Sequence, residues 1–228
     1  MTSRDAMTTS AERATAILVF ACAPIAGAAK TRLIPALGAD GAALLQERMT
    51  HRALATAASA DIGPVQLWCS PSARHVFFEH CQRGVSVTLH SQNGNSLGER
   101  LRFAHDAAFA AYSRILLIGS DCPVLAAEHL VGAARALNDH DAALVPAQDG
   151  GYVLLGLSRP CPELFHEIDW GTDRVLAQTI ARLQQSNRRH FLAAPLWDVD
   201  RPEDLLRLRR CLPELMDSLG RASPRATR

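Results

Sequence analysis

Short apolar runs alternate with longer amphipathic segments along most of the chain, and this alternation limits the folds that it can adopt. Residues 16–22, 65–69 and 114–119 have the length and composition of buried strands. Residues 40–59 and 96–112 between them carry apolar side chains at helical spacing. Strands that alternate with helices predict βαβ units. We therefore expect an α/β fold with a mostly parallel central sheet and helices on both faces.

The remaining elements follow from the same patterns. A Gly-Gly turn separates two short strands, and Ser96 with Glu99 forms a potential capping box before its helix. Ser72 is a potential cap for a further short helix. The predicted strands are 85–90, 142–146 and 152–157, with an extended segment at 191–196, and the predicted helices are 72–82, 126–137, 173–184 and 203–211.

The 228 residues predict one folded domain. Their apolar share of 48% and charged share of 21% are typical of a globular chain. No linker rich in Pro or Ser divides the sequence, so we assign residues 16–212 to a single domain. Residues 1–15 are predicted to be a disordered polar leader and residues 213–228 a flexible tail.

The charge and cysteine content exclude several classes of protein. With 24 basic and 23 acidic residues the net charge is +1, which argues against a general nucleic-acid binder. The sequence contains no run of about 18 apolar residues, so it predicts no membrane span. The six cysteines are scattered without a CxxC pair, as in a cytoplasmic protein with reduced thiols. The oligomeric state is not encoded in any recognisable pattern.

The chain contains one lysine, Lys30, against 23 arginines. It lies in residues 23–33, the loop that follows the first predicted strand, where Gly27 allows close backbone approach and Arg32 adds a second charge. Such a loop suits a phosphate or diphosphate, although it matches neither the P-loop nor the dinucleotide fingerprint. A solvated basic turn is the alternative. Because an ammonium is not interchangeable with a guanidinium, the single lysine favours a functional role.

Two further loops place acidic and glycine residues at the carboxyl ends of strands, where α/β sheets bind ligands. Asp121 follows the 114–119 strand and could ligate Mg²⁺ or Mn²⁺, or could cap the next helix. Asp149, Gly150 and Gly151 could form only a hairpin turn. Alternatively, the two glycines open the backbone to a substrate whose hydroxyls bond to Asp149.

The last two candidate segments lie in the C-terminal third. In residues 170–173, Thr172 could be a helix cap or part of an anion-binding helix start. Asp198 and Asp200 lie two residues apart on an extended segment, and we expect only one of them to face the same site as Asp121. We expect Asp200 to face it, because a helix begins just beyond it at Pro202, although Asp200 could also be the cap of that helix.

Six ordered motifs resemble the DUF2064 family, whose members are transferases associated with radical-SAM and selenodomain proteins. The motifs are AGAAKTRL (26–33), QNGNSLGERL (92–101), GSDCP (119–123), DGGYVLLGL (149–157), DWGTDRVL (169–176) and DVDRPEDL (198–205). The family is similar to the nucleotidyltransferases that make guanylylated phospholactate and molybdenum guanine dinucleotide. The resemblance covers roughly residues 16–210, and it implies a nucleotide-diphospho-sugar transferase fold of the GT-A type.

The resemblance also implies a set of site residues. A lysine is common in the family at the position of Cys22, so this chain lacks one phosphate-facing charge. The implied nucleotide-binding residues are Gly27, Lys30, Arg32, Gln92 and Gly94. The implied metal ligands are Asp121 and Asp200, for Mg²⁺ or Mn²⁺. The implied substrate-binding residues are Asp149, Gly150, Gly151, Trp170 and Thr172. Lys30, Asp121 and Asp149 are the implied catalytic residues.

These expectations favour a metal-dependent transferase that moves a glycosyl group from a nucleotide sugar to a small-molecule acceptor. A first alternative is nucleotidyl transfer of a guanylyl, cytidylyl or uridylyl group to a phosphorylated substrate, with release of pyrophosphate. A second alternative is a nucleotide-binding module without catalytic activity, which the substitution at Cys22 would favour.

Overall fold

The computed structural model describes residues 15–219, which form a seven-stranded sheet with helices on both faces. The strands are β1 (Thr15–Cys22), β2 (Val65–Ser70), β3 (Val87–Ser91), β4 (Arg114–Gly119), β5 (Ala142–Pro146), β6 (Tyr152–Leu157) and β7 (His190–Leu192). The α-helices are α1 (Ile34–Ser59), α2 (Val76–Gly84), α3 (Leu97–Phe109), α4 (Ala127–Ala136), α5 (Val175–Gln185) and α6 (Asp204–Cys211).

The strand order is β3-β2-β1-β4-β6-β5-β7, and β6 runs antiparallel to both of its neighbours, whereas the other described pairs are parallel. The predicted mostly parallel α/β fold is therefore confirmed. A short turn joins β5 to β6, and such a connection can only return the chain as an antiparallel strand. As a result, the ends of β1, β4 and β5 and the start of β6 meet at one edge of the sheet.

Alternating side chains of the central strands build a core on each face of the sheet. In β1, Ile17 and Val19 belong to the cluster on the α1 and α4 side, whereas Ala16 and Leu18 belong to the cluster on the α3 side. All four are fully buried. Burial of one valine, leucine or isoleucine side chain contributes about 1.5–3 kcal/mol. The two cores therefore hold the strand ends in fixed positions.

A third apolar cluster joins α1 to the C-terminal part of the structure. It includes Trp197 and Val199, which precede α6, and Leu45 of α1. The cluster also contains Leu215 and Leu219, which are 7% and 4% exposed. The chain therefore packs through residue 219, beyond the domain end predicted at 212, because these leucines cover the α1 surface. Residues 1–14 of the predicted leader and 220–228 of the predicted tail lie outside the described residues.

Several element boundaries differ from the sequence prediction. The range of α1 starts at Ile34, but Gly38, with φ 72° and ψ 167°, is not helical, so a short helical turn and a kink precede the long helix, which starts close to the predicted residue 40. His75, rather than Ser72, caps α2, with its Nδ1 accepting a bond from Phe77 N. Ser96 caps α3 as predicted. Within residues 15–219, none of the helices combines the length and apolar character that a bilayer crossing requires.

Candidate active site

A cavity of about 320 Å³ opens at the edge where the strand ends meet. The end of β1, the end of β4, the β5–β6 turn, the first turn of α3 and the segment before α6 all contribute to its lining. Its charged lining residues are Arg100, Asp121, Asp149 and Asp198. Polar side chains from distant parts of the sequence thus share one solvent-connected space.

Lys30 and Asp121 meet at the rim of this cavity. Lys30 Nζ lies 2.8 Å from Asp121 Oδ1, and it also donates to the Val199 carbonyl at 2.8 Å. The Lys30 side chain is only 7% exposed, whereas that of Asp121 is 57% exposed. Lys30 itself has the left-handed φ of 44°, so the turn aims its side chain back towards the sheet. The structure therefore holds the ammonium between two fixed acceptors.

Arg32 forms an ion pair with Asp200 next to this contact. Both side chains are about half exposed or more, so the pair contributes little to stability. Asp200 is not the cap of α6. Instead, the Asp204 carboxylate accepts bonds from the backbone N–H groups of Asp200 and Arg201. Arg32 and Asp200 lie outside the cavity lining.

Asp198 lines the cavity and Asp200 does not, whereas the sequence analysis expected Asp200 to share the site with Asp121. Between these two residues, the Val199 side chain is fully buried in the third cluster and its N–H donates to the Asp121 carbonyl, so this segment is tied to the end of β4. Burial raises the pKa of Asp198 from 3.8 to about 6, and the carboxylates of Asp149, Asp121 and Asp200 add to the shift.

The raised pKa of Asp198 predicts a pH-dependent effect of Asp198→Asn on stability. Because the folded pKa lies above the unfolded one, ionised Asp198 destabilises the fold at pH 8, and this effect disappears below about pH 4. Two pKa units correspond to about 3 kcal/mol, which solvent screening should reduce to about 1–2 kcal/mol. Urea unfolding in EDTA should show the variant to be more stable at pH 8 and matched to wild type at pH 4. A pH-independent difference would contradict this explanation.

Asp149 and the two glycines after it form the β5–β6 turn. Asp149 Oδ1 accepts a bond from Gly151 N at 2.9 Å, and both residues line the cavity. Gly150 does not line it. Its φ is 91°, and a Cβ there would lie 2.2 Å from the Asp173 carbonyl oxygen. The structure therefore gives Gly150 a packing role just before α5, whereas Asp149 and Gly151 face the cavity.

Some of the predicted nucleotide-binding residues line the cavity and others do not. Gln92 lines the cavity, and its Nε2 donates to the Trp68 carbonyl at 2.9 Å. Gly94 is not in the lining. A Cβ on it would lie 2.6 Å from Glu99 Cβ, so its role is close packing at the start of α3. Gly27 has φ 84° with open space around it, so the turn alone requires glycine there.

Trp170 and Thr172 also differ in position. Trp170 lines the cavity, stands edge-on to Tyr152 at 6.3 Å and packs against Gly98. Thr172 lies outside the lining and closes a turn, with Oγ1 donating to the Asp169 carbonyl at 2.7 Å. It is not the cap of α5, which begins after Arg174. The structure thus places Trp170 in the site and gives Thr172 a local structural role.

Sequence reasoning missed several side chains that line the cavity, among them three apolar residues and one arginine. Phe20, Leu97 and Leu101 make one wall apolar, and Arg100 adds a positive charge. Arg100 lies within the motif at 92–101, so its motif was recognised but its role was not. Cys22 also lines the cavity, and burial together with the Asp121 carboxylate raises the pKa of its thiol. A raised pKa keeps this cysteine a neutral thiol rather than a replacement for a charged residue.

The acidic residues suit a divalent cation only if a substrate supplies further ligands. Among residues 15–219, no group of three or more His, Cys, Asp or Glu side chains is arranged to hold a metal. Asp121 and Asp198 nevertheless line the same cavity, and their repulsion contributes to the raised pKa of Asp198. One or two carboxylates with phosphate oxygens form the usual Mg²⁺ site. The residues therefore fit a cation shared with a phosphorylated ligand.

Comparison with known proteins agrees with this architecture. Residues 53–172 match the family model DUF2064, described as an uncharacterized protein conserved in bacteria. No curated protein sequence shows significant similarity to the chain. A candidate nucleotide-diphospho-sugar transferase from Desulfovibrio desulfuricans G20 is 29% identical with a TM-score of 0.78, and the match covers 90% of this chain and 91% of that one.

Two more distant structures share the fold. The 4-diphosphocytidyl-2C-methyl-D-erythritol synthase from Anaerococcus prevotii DSM 20548 is 10% identical, with a TM-score of 0.61 and coverage of 88% and 96%. The CMP:2-keto-3-deoxy-manno-octonic acid synthetase in complex with CTP is also 10% identical, with a TM-score of 0.54 and coverage of 88% and 99%. The predicted nucleotide-diphospho-sugar transferase fold is therefore confirmed.

Proposed function

The chain belongs to the DUF2064 family, and we propose that it is a transferase that takes a nucleotide-activated donor and a small-molecule acceptor. The contact between Lys30 Nζ and Asp121 Oδ1 carries this proposal, because it joins a phosphate-binding cation to a metal-binding carboxylate at a strand end. The fold shared with nucleotide-diphospho-sugar transferases supports it. The reaction that we propose first is glycosyl transfer from a nucleotide sugar.

On the donor side, Lys30 and Arg32 would bind the diphosphate. Each cation has an acidic partner, Asp121 for Lys30 and Asp200 for Arg32. A diphosphate would offer both cations stronger, charge-assisted hydrogen bonds. Lys30 would then stabilise the negative charge that develops on the leaving nucleotide.

Asp121 and Asp198 are the residues that would hold Mg²⁺ or Mn²⁺ together with phosphate oxygens. When bound, the ion would neutralise charge on the leaving group. Both carboxylates must be ionised to bind it. Because its raised pKa of about 6 favours the protonated form of Asp198, we expect metal binding to weaken below neutral pH.

On the acceptor side, Asp149, Gly151 and Trp170 face the cavity. Asp149 uses Oδ1 to hold the turn, so Oδ2 would be the oxygen that orients an acceptor hydroxyl and accepts its proton. The rings of Trp170 and Tyr152, whose centres lie 6.3 Å apart, form an aromatic wall that suits the apolar face of a sugar or similar ring.

Nucleotidyl transfer is the second candidate. The observation that favours it is the pair of cations, Lys30 and Arg32, in one short turn next to Asp121, which suits the triphosphate of a nucleoside triphosphate. In this reaction a phosphate oxygen of the second substrate would attack the α-phosphorus. The bond from the α-phosphorus to the β-phosphate would break, and pyrophosphate would leave.

A ligand screen followed by two assays tests the proposal. Nucleotides and nucleotide sugars with Mn²⁺ should raise the melting temperature, because a ligand that binds only the folded state stabilises it. Binding nucleotide sugars are then incubated with hydroxyl-bearing acceptors and assayed for release of nucleoside phosphate. Binding nucleoside triphosphates are incubated with phosphorylated acceptors and assayed for pyrophosphate. If no nucleotide shifts the melting temperature, the proposed function is wrong.

A further inference from the structure

Arg100 is the only lysine or arginine among the residues that line the cavity in residues 15–219. It lies in the first turn of α3, where its backbone N–H donates to the Ser96 carbonyl and packs against Gly94. Arg102, two residues on, points out of the same helix and pairs with Asp106. The position of Arg100 is therefore fixed by a capped helix turn rather than by a mobile loop.

The Arg100 side chain has no hydrogen-bond or ion-pair partner within the described part of the chain, and its Nε is buried. The cavity carboxylates do not supply one. Asp121 is paired with Lys30, and Asp149 Oδ1 bonds to Gly151 N. Buried polar atoms in folded proteins almost always have a partner, so the unpaired Nε of Arg100 at the cavity wall indicates a ligand that provides one.

From this arrangement we infer that Arg100 binds an anionic group of the second substrate, a carboxylate or a phosphate, so that the acceptor is an acidic small molecule. The inference rests on the proposed function for the identity of that substrate. A planar guanidinium matches the two oxygens of either group with two parallel bonds. It also explains how an acidic acceptor could enter a cavity that three carboxylates line.

The acceptor is a better source of this anion than the donor. Lys30 and Arg32 already place two cations beside Asp121 and outside the cavity lining, where they suit the donor phosphates. Arg100 instead shares its wall with Leu97, Leu101 and Trp170. A neutral acceptor would leave the guanidinium without a partner, whereas an acidic one would satisfy it and be oriented by it.

Calorimetric titration with small anions tests this inference directly. The probes are glycerol 3-phosphate and glycerate, with glycerol as the neutral control, titrated at constant ionic strength into wild type, Arg100→Gln, Arg100→Lys and Arg102→Gln. Arg102→Gln removes the same charge from the same helix. Circular dichroism and melting temperatures verify that each variant is folded.

We expect both anions, but not glycerol, to bind wild type and Arg102→Gln within about twofold of each other, and Arg100→Gln to bind them at least about tenfold more weakly. Arg100→Lys should recover part of the affinity, because lysine keeps the positive charge but lacks the planar guanidinium that can form two parallel bonds. Equal affinity of wild type and Arg100→Gln would overturn the inference. So would displacement of the anions by a nucleotide that binds in the ligand screen, since the anion site would then belong to the donor.

The probes contain no nucleotide, so this titration can succeed or fail independently of the proposed reaction. Once an acidic acceptor is found that the enzyme uses as a substrate, the same inference can be tested by steady-state kinetics. Arg100→Gln should raise KM for the acceptor about tenfold or more while KM for the donor stays within about twofold. An increase confined to the donor KM would overturn the acceptor assignment.

Discussion

Replacement of Asp121 by asparagine should lower metal-dependent nucleotide affinity and transfer activity by at least about 100-fold, or about 2.8 kcal/mol. Asparagine has the size of aspartate and can still accept the bond from Lys30 Nζ that the structure shows at 2.8 Å. It lacks the negative charge that a divalent cation requires. The loss should therefore come from the cation site rather than from a collapse of the rim, and calorimetry with and without Mn²⁺ measures it.

Asp40→Asn is the matched control for this variant. Asp40 is exposed on α1, and the same change of charge there should leave affinity and activity within about twofold. The melting temperatures of both variants without ligand should stay close to wild type. Wild-type nucleotide affinity in a folded Asp121→Asn protein, with Mn²⁺ present, would exclude Asp121 as a ligand of the shared cation.

The fold was predictable because apolar spacing reports secondary structure directly. The 16–22 and 114–119 runs became the central strands β1 and β4, and the Gly-Gly turn became the β5–β6 hairpin. The place of β6 between β4 and β5 was not predictable, since strand order depends on packing between distant segments. The predicted helix starts were less accurate. For α2, Ser72 resembles a cap in the sequence, whereas His75 supplies the actual cap.

The site was predictable where a residue type is rare or directly follows a buried strand. The single lysine and the carboxylate after β4 meet these conditions, and the structure brings them into contact. Asp198 and Asp200 could not be separated, because residues two apart on an extended segment share one face, and only the folded path of the chain puts Asp198 in the cavity lining and Asp200 against Arg32. Arg100 was missed because an arginine in the first turn of an amphipathic helix usually faces solvent, and only the packing of α3 places it in the cavity.

Replacement of Lys30 by arginine should lower kcat/KM by at least about 30-fold although it keeps the positive charge. Lys30 Nζ lies 2.8 Å from both Asp121 Oδ1 and the Val199 carbonyl, in a side chain that is 7% exposed. A guanidinium is wider and longer than an ammonium, so it cannot occupy this gap without moving one of the two acceptors. We also expect a stability loss of about 1–2 kcal/mol, since a displaced side chain leaves the Val199 carbonyl without its donor.

Arg32→Lys is the opposite exchange in the same turn and serves as the control. Arg32 is 61% exposed and, within residues 15–219, pairs only with the half-exposed Asp200, so a lysine there should retain activity within about threefold. A large effect of Lys30→Arg with a small effect of Arg32→Lys would show that the turn needs an ammonium at one position and only a charge at the other. Equal tolerance of both exchanges would mean that the chemistry of the site does not require an ammonium group at position 30.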